Sequence, residues 1–179
     1  MICSKLQNCV NGEINGKPLK DCDNNKTKCI ESSDHRSLVK CEEKSKKYIL
    51  ENTMKNHIIS FKVAGGIITV DRTVPQGINK CDYLYIINSS EKIAILTELK
   101  GVNVQKALIQ IYDTLVLYKD SFKEYAHIYG RAIVTSSTPN LKVSPEYVRL
   151  YKLIRQNYNG NIKIVERSFT EKDTELNKE

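Results

Sequence analysis

The chain has 179 residues, 40% apolar and 27% charged, which fits one ordinary domain with a modest appendage. A domain of this size buries roughly 70% of the surface its unfolded chain exposes. Its longest apolar runs, such as residues 63–70, fall far short of a bilayer crossing, and MICSKLQNCVNGE lacks the features of a secretory leader. No membrane association and a cytoplasmic, intracellular chain are therefore expected. Lys and Arg number 28 against 21 Asp and Glu, and the net charge of +7 favours polyanionic partners without identifying one.

Residues 1–35 are rich in Asn, Asp, Gly, Lys and Ser and read as a polar arm without a core of its own. Four of the six cysteines lie there, so an ordered arm needs a metal or packing against the main body. Globular texture begins near Leu38, and a domain over 36–167 with a polar, fraying tail at 168–179 is expected. Residues 38–50 read as a helix, although Tyr48 to Leu50 serve equally well as the start of a strand. HIISFKVAGGIITV reads as a strand bent at Gly65 and Gly66, followed by the loop RTVPQGINK.

Two strands, 81–88 and 93–100, joined by a short polar turn around Ser89, Ser90 and Glu91, form the best hairpin in the sequence. After Gly101 the period becomes helical, with Asn103 as cap and Val104, Ala107, Leu108, Ile111, Leu115 and Tyr118 on one stripe. Residues 131–136 form a further strand, and Ser144, Pro145 and Glu146 start a second helix that Gly160 closes. A last strand covers 161–166. This order describes an α/β protein built on one central sheet.

Glu98 and Lys100 are two apart on a strand and so leave the same face of the sheet. With the turn centred on Ser90, residue 88 pairs with 92 and Asp82 falls directly across from Glu98. Opposed carboxylates repel unless a cation lies between them, and magnesium or manganese takes such a sparse oxygen shell, to which the Leu99 carbonyl can add. Lys100 can then activate water and offset charge developing on a phosphate, an arrangement suited to phosphodiester hydrolysis.

The stretch KCDYLYIINSSEKIAILTELKG resembles the PD-(D/E)xK nuclease superfamily, whose signature is an Asp at the start of one strand and E-x-K on the next. Cys81 stands where the family name has proline. The resemblance implies a restriction-endonuclease-like αβββαβ core, with a mixed central sheet flanked by helices, over about residues 38–136 plus a C-terminal helix-strand extension. It implies Asp82 and Glu98 as metal-binding carboxylates and Lys100 as the catalytic lysine. Family members often place a glutamine on the next helix toward the site, for which Gln110 is the better match and Gln105 the weaker. An acidic residue from the first helix often joins in that family, and here Glu42, Glu43 and Glu51 compete for the role, with Glu42 as the match.

Cations beside such a cleft would hold the nucleic-acid backbone. Arg149, Lys152 and Arg155 form a stripe on the second helix, with Arg72, Lys80 and Lys106 nearer the hairpin, although each taken singly reads as an ordinary solvated charge. Cys3, Cys9, Cys22 and Cys29 approach a four-cysteine zinc arrangement but lack its tight knuckles, so buried or idle thiols are the favoured reading. The expected function is a magnesium-dependent nuclease acting on DNA rather than RNA, as a homodimer or with a protein partner that chooses the target. The alternatives are a non-cutting nucleic-acid-binding or assembly subunit, and a zinc-stabilised interaction protein.

Overall fold

The computed structural model describes residues 2–20, 28–69, 77–136 and 139–178. Helix α1 (Leu6–Ile14) precedes strand β1 (Ile30–Asp34) and the strands β2 (Leu38–Glu43) and β3 (Lys46–Glu51). Next come β4 (His57–Lys62), β5 (Tyr83–Asn88), β6 (Lys92–Leu99) and helix α2 (Val104–Leu117). The chain finishes with β7 (His127–Val134), helix α3 (Pro145–Tyr158), β8 (Ile162–Glu166) and β9 (Ser168–Lys172).

Six strands form one sheet in the order β1-β4-β5-β6-β7-β8, antiparallel as far as β6 and parallel from β6 to β8. The protein is therefore α/β with a mixed sheet. A second sheet, β2-β3-β9, covers the face opposite the helices. Alternation along β6 sorts the two cores: Ala94 and Leu96 point to the helices, Ile95 and Leu99 to the second sheet. Because both faces are covered, β5 and β6 read as nearly continuous apolar runs.

Helix α2 buries Val104, Ala107, Leu108, Ile111 and Leu115, and the Asn103 side chain accepts from the Lys106 N–H at 2.8 Å to cap it. Helix α3 starts at Ser144, whose hydroxyl accepts from the Tyr147 N–H, with Pro145 at the first helical position. Its closure differs from expectation. Asn159 takes the left-handed conformation, φ 42°, while Gly160 is needed for another reason: a Cβ there would sit 1.8 Å from the Ile128 carbonyl oxygen.

Three further expectations are corrected. Residues 38–50 form the β2–β3 hairpin rather than a helix, with Val39, Cys41, Tyr48 and Leu50 buried at a two-residue period. Its turn residues, Lys44 and Ser45, both have positive φ without being Gly or Asn, so the usual hairpin signal is muted. The described residues of the N-terminal segment are packed onto the main body: Cys3, Leu6 and Val10 belong to the main core, the Cys3 N–H donates to the Ile67 carbonyl, and β1 forms an edge of the main sheet. Nor does the C-terminal tail fray, because β9 pairs in parallel with β3 and Leu176 is buried. Among the described residues no helix is long and apolar enough to cross a membrane.

Candidate active site

The hairpin register follows the expected pairing, with Asn88 opposite Lys92 and Tyr83 opposite Thr97. Beyond that pair the ladder is irregular: Asp82 precedes β5, its N–H donates to the Thr97 carbonyl on one side and its carbonyl accepts from the Val63 N–H on the other, which leaves it beside Glu98 without a regular pairing to it. The Asp82 Oδ2 accepts from the Leu99 N–H at 2.8 Å, and the Asp82 and Glu98 carboxyls lie close enough to shift each other's titration.

Glu98 is only 1% exposed, and its Oε2 has no hydrogen-bond partner. Burial, and then the neighbouring Asp82, push its carboxyl up to about 9 from an ordinary 4.5, while Lys100 opposes the shift. Asp82 is also raised, chiefly by burial, with Glu43 adding and the Leu99 N–H and Lys100 opposing. Both shifts favour the protonated carboxyl, and the shift is large for Glu98. The Lys100 Nζ lies 3.6 Å from the Glu98 Oε1, on a side chain still 29% exposed, so it reaches both the buried acid and solvent.

Helix α2 holds the approach to this pair. The Gln110 amide donates to the Lys80 carbonyl at 2.7 Å, the Thr114 hydroxyl accepts from the Cys81 N–H at 2.9 Å, and the Asn79 amide donates to Asp113. Gln110 therefore fixes the segment that delivers Asp82, and its own Oε1 is buried without a partner. Gln105, by contrast, is exposed.

The structure separates Glu42 from the pair: it faces solvent, with the Lys47 Nζ 3.8 Å away. Its neighbour Glu43 shares the side of β2 that carries Val39 and Cys41, and with Lys62, Ala64, Asp82 and Tyr83 it lines a cleft. Strand alternation would have singled out Glu43, whereas a helical reading of this segment left the choice open.

The proposed backbone-binding cations are dispersed. Lys106, Lys152 and Arg155 are exposed and Lys80 is half-buried. Arg149 stacks its guanidinium 3.7 Å from the centre of the Tyr112 ring, where α3 meets α2. Arg72 and Cys22 lie outside the described residues. Cys3, Cys9 and Cys29 all pack in or against the main core, and among the described residues no group of three or more His, Cys, Asp or Glu is placed to hold a metal ion.

Sequence reading missed a second buried polar cluster. Arg131, fully buried on β7, makes a two-pronged contact with Glu171 of β9, and the Tyr48 hydroxyl donates to the same carboxylate at 2.9 Å. The remaining guanidinium hydrogens go to the Gly130, Asn161 and Leu176 carbonyls and the Asn161 side chain. With every partner supplied from within, this cluster joins the two sheets and leaves no group free for chemistry. No family model, curated protein sequence or solved structure matches the chain.

Proposed function

We propose that the chain is a divalent-metal-dependent nuclease of the PD-(D/E)xK type that hydrolyses phosphodiester bonds in DNA. One observation carries this reading: a buried Glu98 with an unpartnered oxygen lies beside Asp82, with the Lys100 ammonium 3.6 Å from its other oxygen. A buried, half-satisfied carboxyl pair is destabilising, so its retention points to a ligand that it was built to meet. The topology supports the reading in part: an antiparallel β4-β5-β6 meander, α2 and a parallel β7 follow the restriction-endonuclease-like order, with α3 and β8 as the extension, whereas three strands, β1 to β3, separate α1 from the meander.

The donors suit a hard cation. Asp82, Glu98 and the Leu99 carbonyl offer oxygen only, and magnesium or manganese commonly takes one or two carboxylates and fills its shell with water and phosphate. When bound, such an ion supplies Lewis acidity toward phosphate and acidifies a water molecule. The chain's own groups do the rest. The Leu99 N–H fixes the orientation of Asp82. Lys100 offsets negative charge gathering on the phosphate and orients the attacking water. Gln110 and Thr114 hold the segment that delivers Asp82, and Glu43 adds negative potential at the mouth of the cleft.

The test is cleavage of labelled single-stranded, double-stranded and branched DNA and of RNA, with magnesium, manganese or chelator, comparing the native chain with Glu98→Gln and Lys100→Ala. Metal-dependent cutting that both substitutions remove supports the nuclease. Salt-sensitive binding without cutting of any substrate transfers the assignment to a nucleic-acid-binding subunit.

A further inference from the structure

Strand β8 is paired with β7 along one edge only and forms the border of the main sheet. Along its other edge runs a groove whose lining includes Lys142, Tyr147, Tyr151, Lys163 and Lys178. The groove continues past Val143, which is 77% exposed. Among the described residues no Asp or Glu lines either part.

Tyr147 and Tyr151, one turn apart on α3, stack their rings nearly parallel, with centroids 5.9 Å apart, and Tyr151 is 41% exposed. The local charge is positive. Lys163 lies 3.7 Å from Glu171, but Arg131 already engages that carboxylate, so two cations share one anion. Lys178 pairs with Glu175 while remaining largely exposed, and Lys142 makes no ion pair among the described residues. Lysines on a sheet border commonly serve to block strand addition, but that role does not account for a stacked pair of aromatic rings turned partly to solvent.

We propose that this groove binds a single-stranded segment of nucleic acid, with bases stacking on Tyr151 and phosphates held by Lys142, Lys163 and Lys178. Unpaired bases alone can offer a face to an aromatic ring, and a basic groove with an aromatic platform is the usual means of holding them. An acidic peptide would satisfy the lysines but leave the ring stack unused.

The groove runs beside residues 162–165 of β8, which pairs with β7, and β7 pairs in turn with β6, the strand that carries Glu98. The inference takes its class of ligand from the nuclease reading, but its test does not require cleavage.

The experiment is fluorescence anisotropy of a labelled oligothymidylate of about 12 nucleotides with the full chain in chelator, across a salt series. Tyr151→Ala should weaken binding about 5- to 100-fold, and Tyr151→Phe should retain it. Lys142→Ala should weaken binding and lower its salt dependence. Duplex binding should be indifferent to Tyr151→Ala, and circular dichroism should show each variant folded. The proposal is overturned if the native chain does not bind the oligonucleotide, if Tyr151→Ala weakens duplex and single strand equally or neither, or if polyglutamate displaces the oligonucleotide at matched charge. Binding through Tyr151 without metal-dependent cutting would sink the nuclease and leave this groove standing. Cutting with strand binding indifferent to Tyr151 and Lys142 would do the reverse.

Discussion

Arg131 of β7 and Glu171 of β9 lie 40 positions apart in sequence and meet in the buried layer between the two sheets. The contact joins the main sheet to the C-terminal strand, and Tyr48 of β3 donates to the same carboxylate. Removing one partner leaves the other charge buried, so Glu171→Ala should cost about 3–5 kcal/mol. Tyr48→Phe removes one hydrogen bond to a charged group and should cost about 1.5–3 kcal/mol. Urea unfolding of the two variants checks both, and equal losses would refute this division of labour.

Stability should fall as pH rises. Glu98 holds its proton up to about pH 9 in the folded chain, against an ordinary 4.5 when unfolded, so the folded state binds the extra proton between these values. Its contribution is fully present below the lower value and is lost as pH climbs through the upper one, at a slope of up to about 1.4 kcal/mol per pH unit. Asp82, raised as well, acts in the same direction. Urea midpoints measured in chelator from about pH 5 to about pH 8.5 should decline for the native chain and flatten for Glu98→Gln. A native profile that rises over this range would contradict the burial of a protonated Glu98.

Glu43 and Glu42 should differ in their effect on cleavage. Glu43 lines the cleft with Asp82, while Glu42 is turned to solvent beside Lys47. Glu43→Gln should reduce metal-dependent cutting about 10-fold through the local potential and the water network, and Glu42→Gln should leave it nearly unchanged. Rates measured at saturating magnesium decide this. Equal effects would mean that the cleft is not where the phosphate enters.

Gly160→Ala should destabilise the chain by about 1–3 kcal/mol, because the added methyl meets the backbone carbonyl of Ile128, which cannot swing aside as a side chain would. Asn159→Gly should be nearly neutral, since that position needs only the left-handed conformation. Thermal melts of the two variants separate these requirements.

The β5–β6 register was legible in the residues, because the polar turn at Ser89 and Ser90 and the apolar runs on either side favour the one pairing that buries both strands. The sequence also determined the start of α2 and α3 through Asn103 and Ser144. The pairing carried Asp82 to the start of β5 near Glu98, although its N–H bonds to the Thr97 carbonyl and leaves the regular ladder there. Tertiary structure decided the rest. The β2–β3 hairpin was obscured by a turn without Gly or Asn, and with it the distinction between Glu42 and Glu43, which rests on strand alternation. The last strand looked too polar to be ordered, since Glu171 finds Tyr48 from 123 positions away and Arg131 from 40. The protonation of Glu98 depends on helices and sheet closing over a carboxyl that looks like any other in the sequence. Local pattern shows which way a side chain faces; what covers it, and so how much its charge costs, depends on residues distant in the chain.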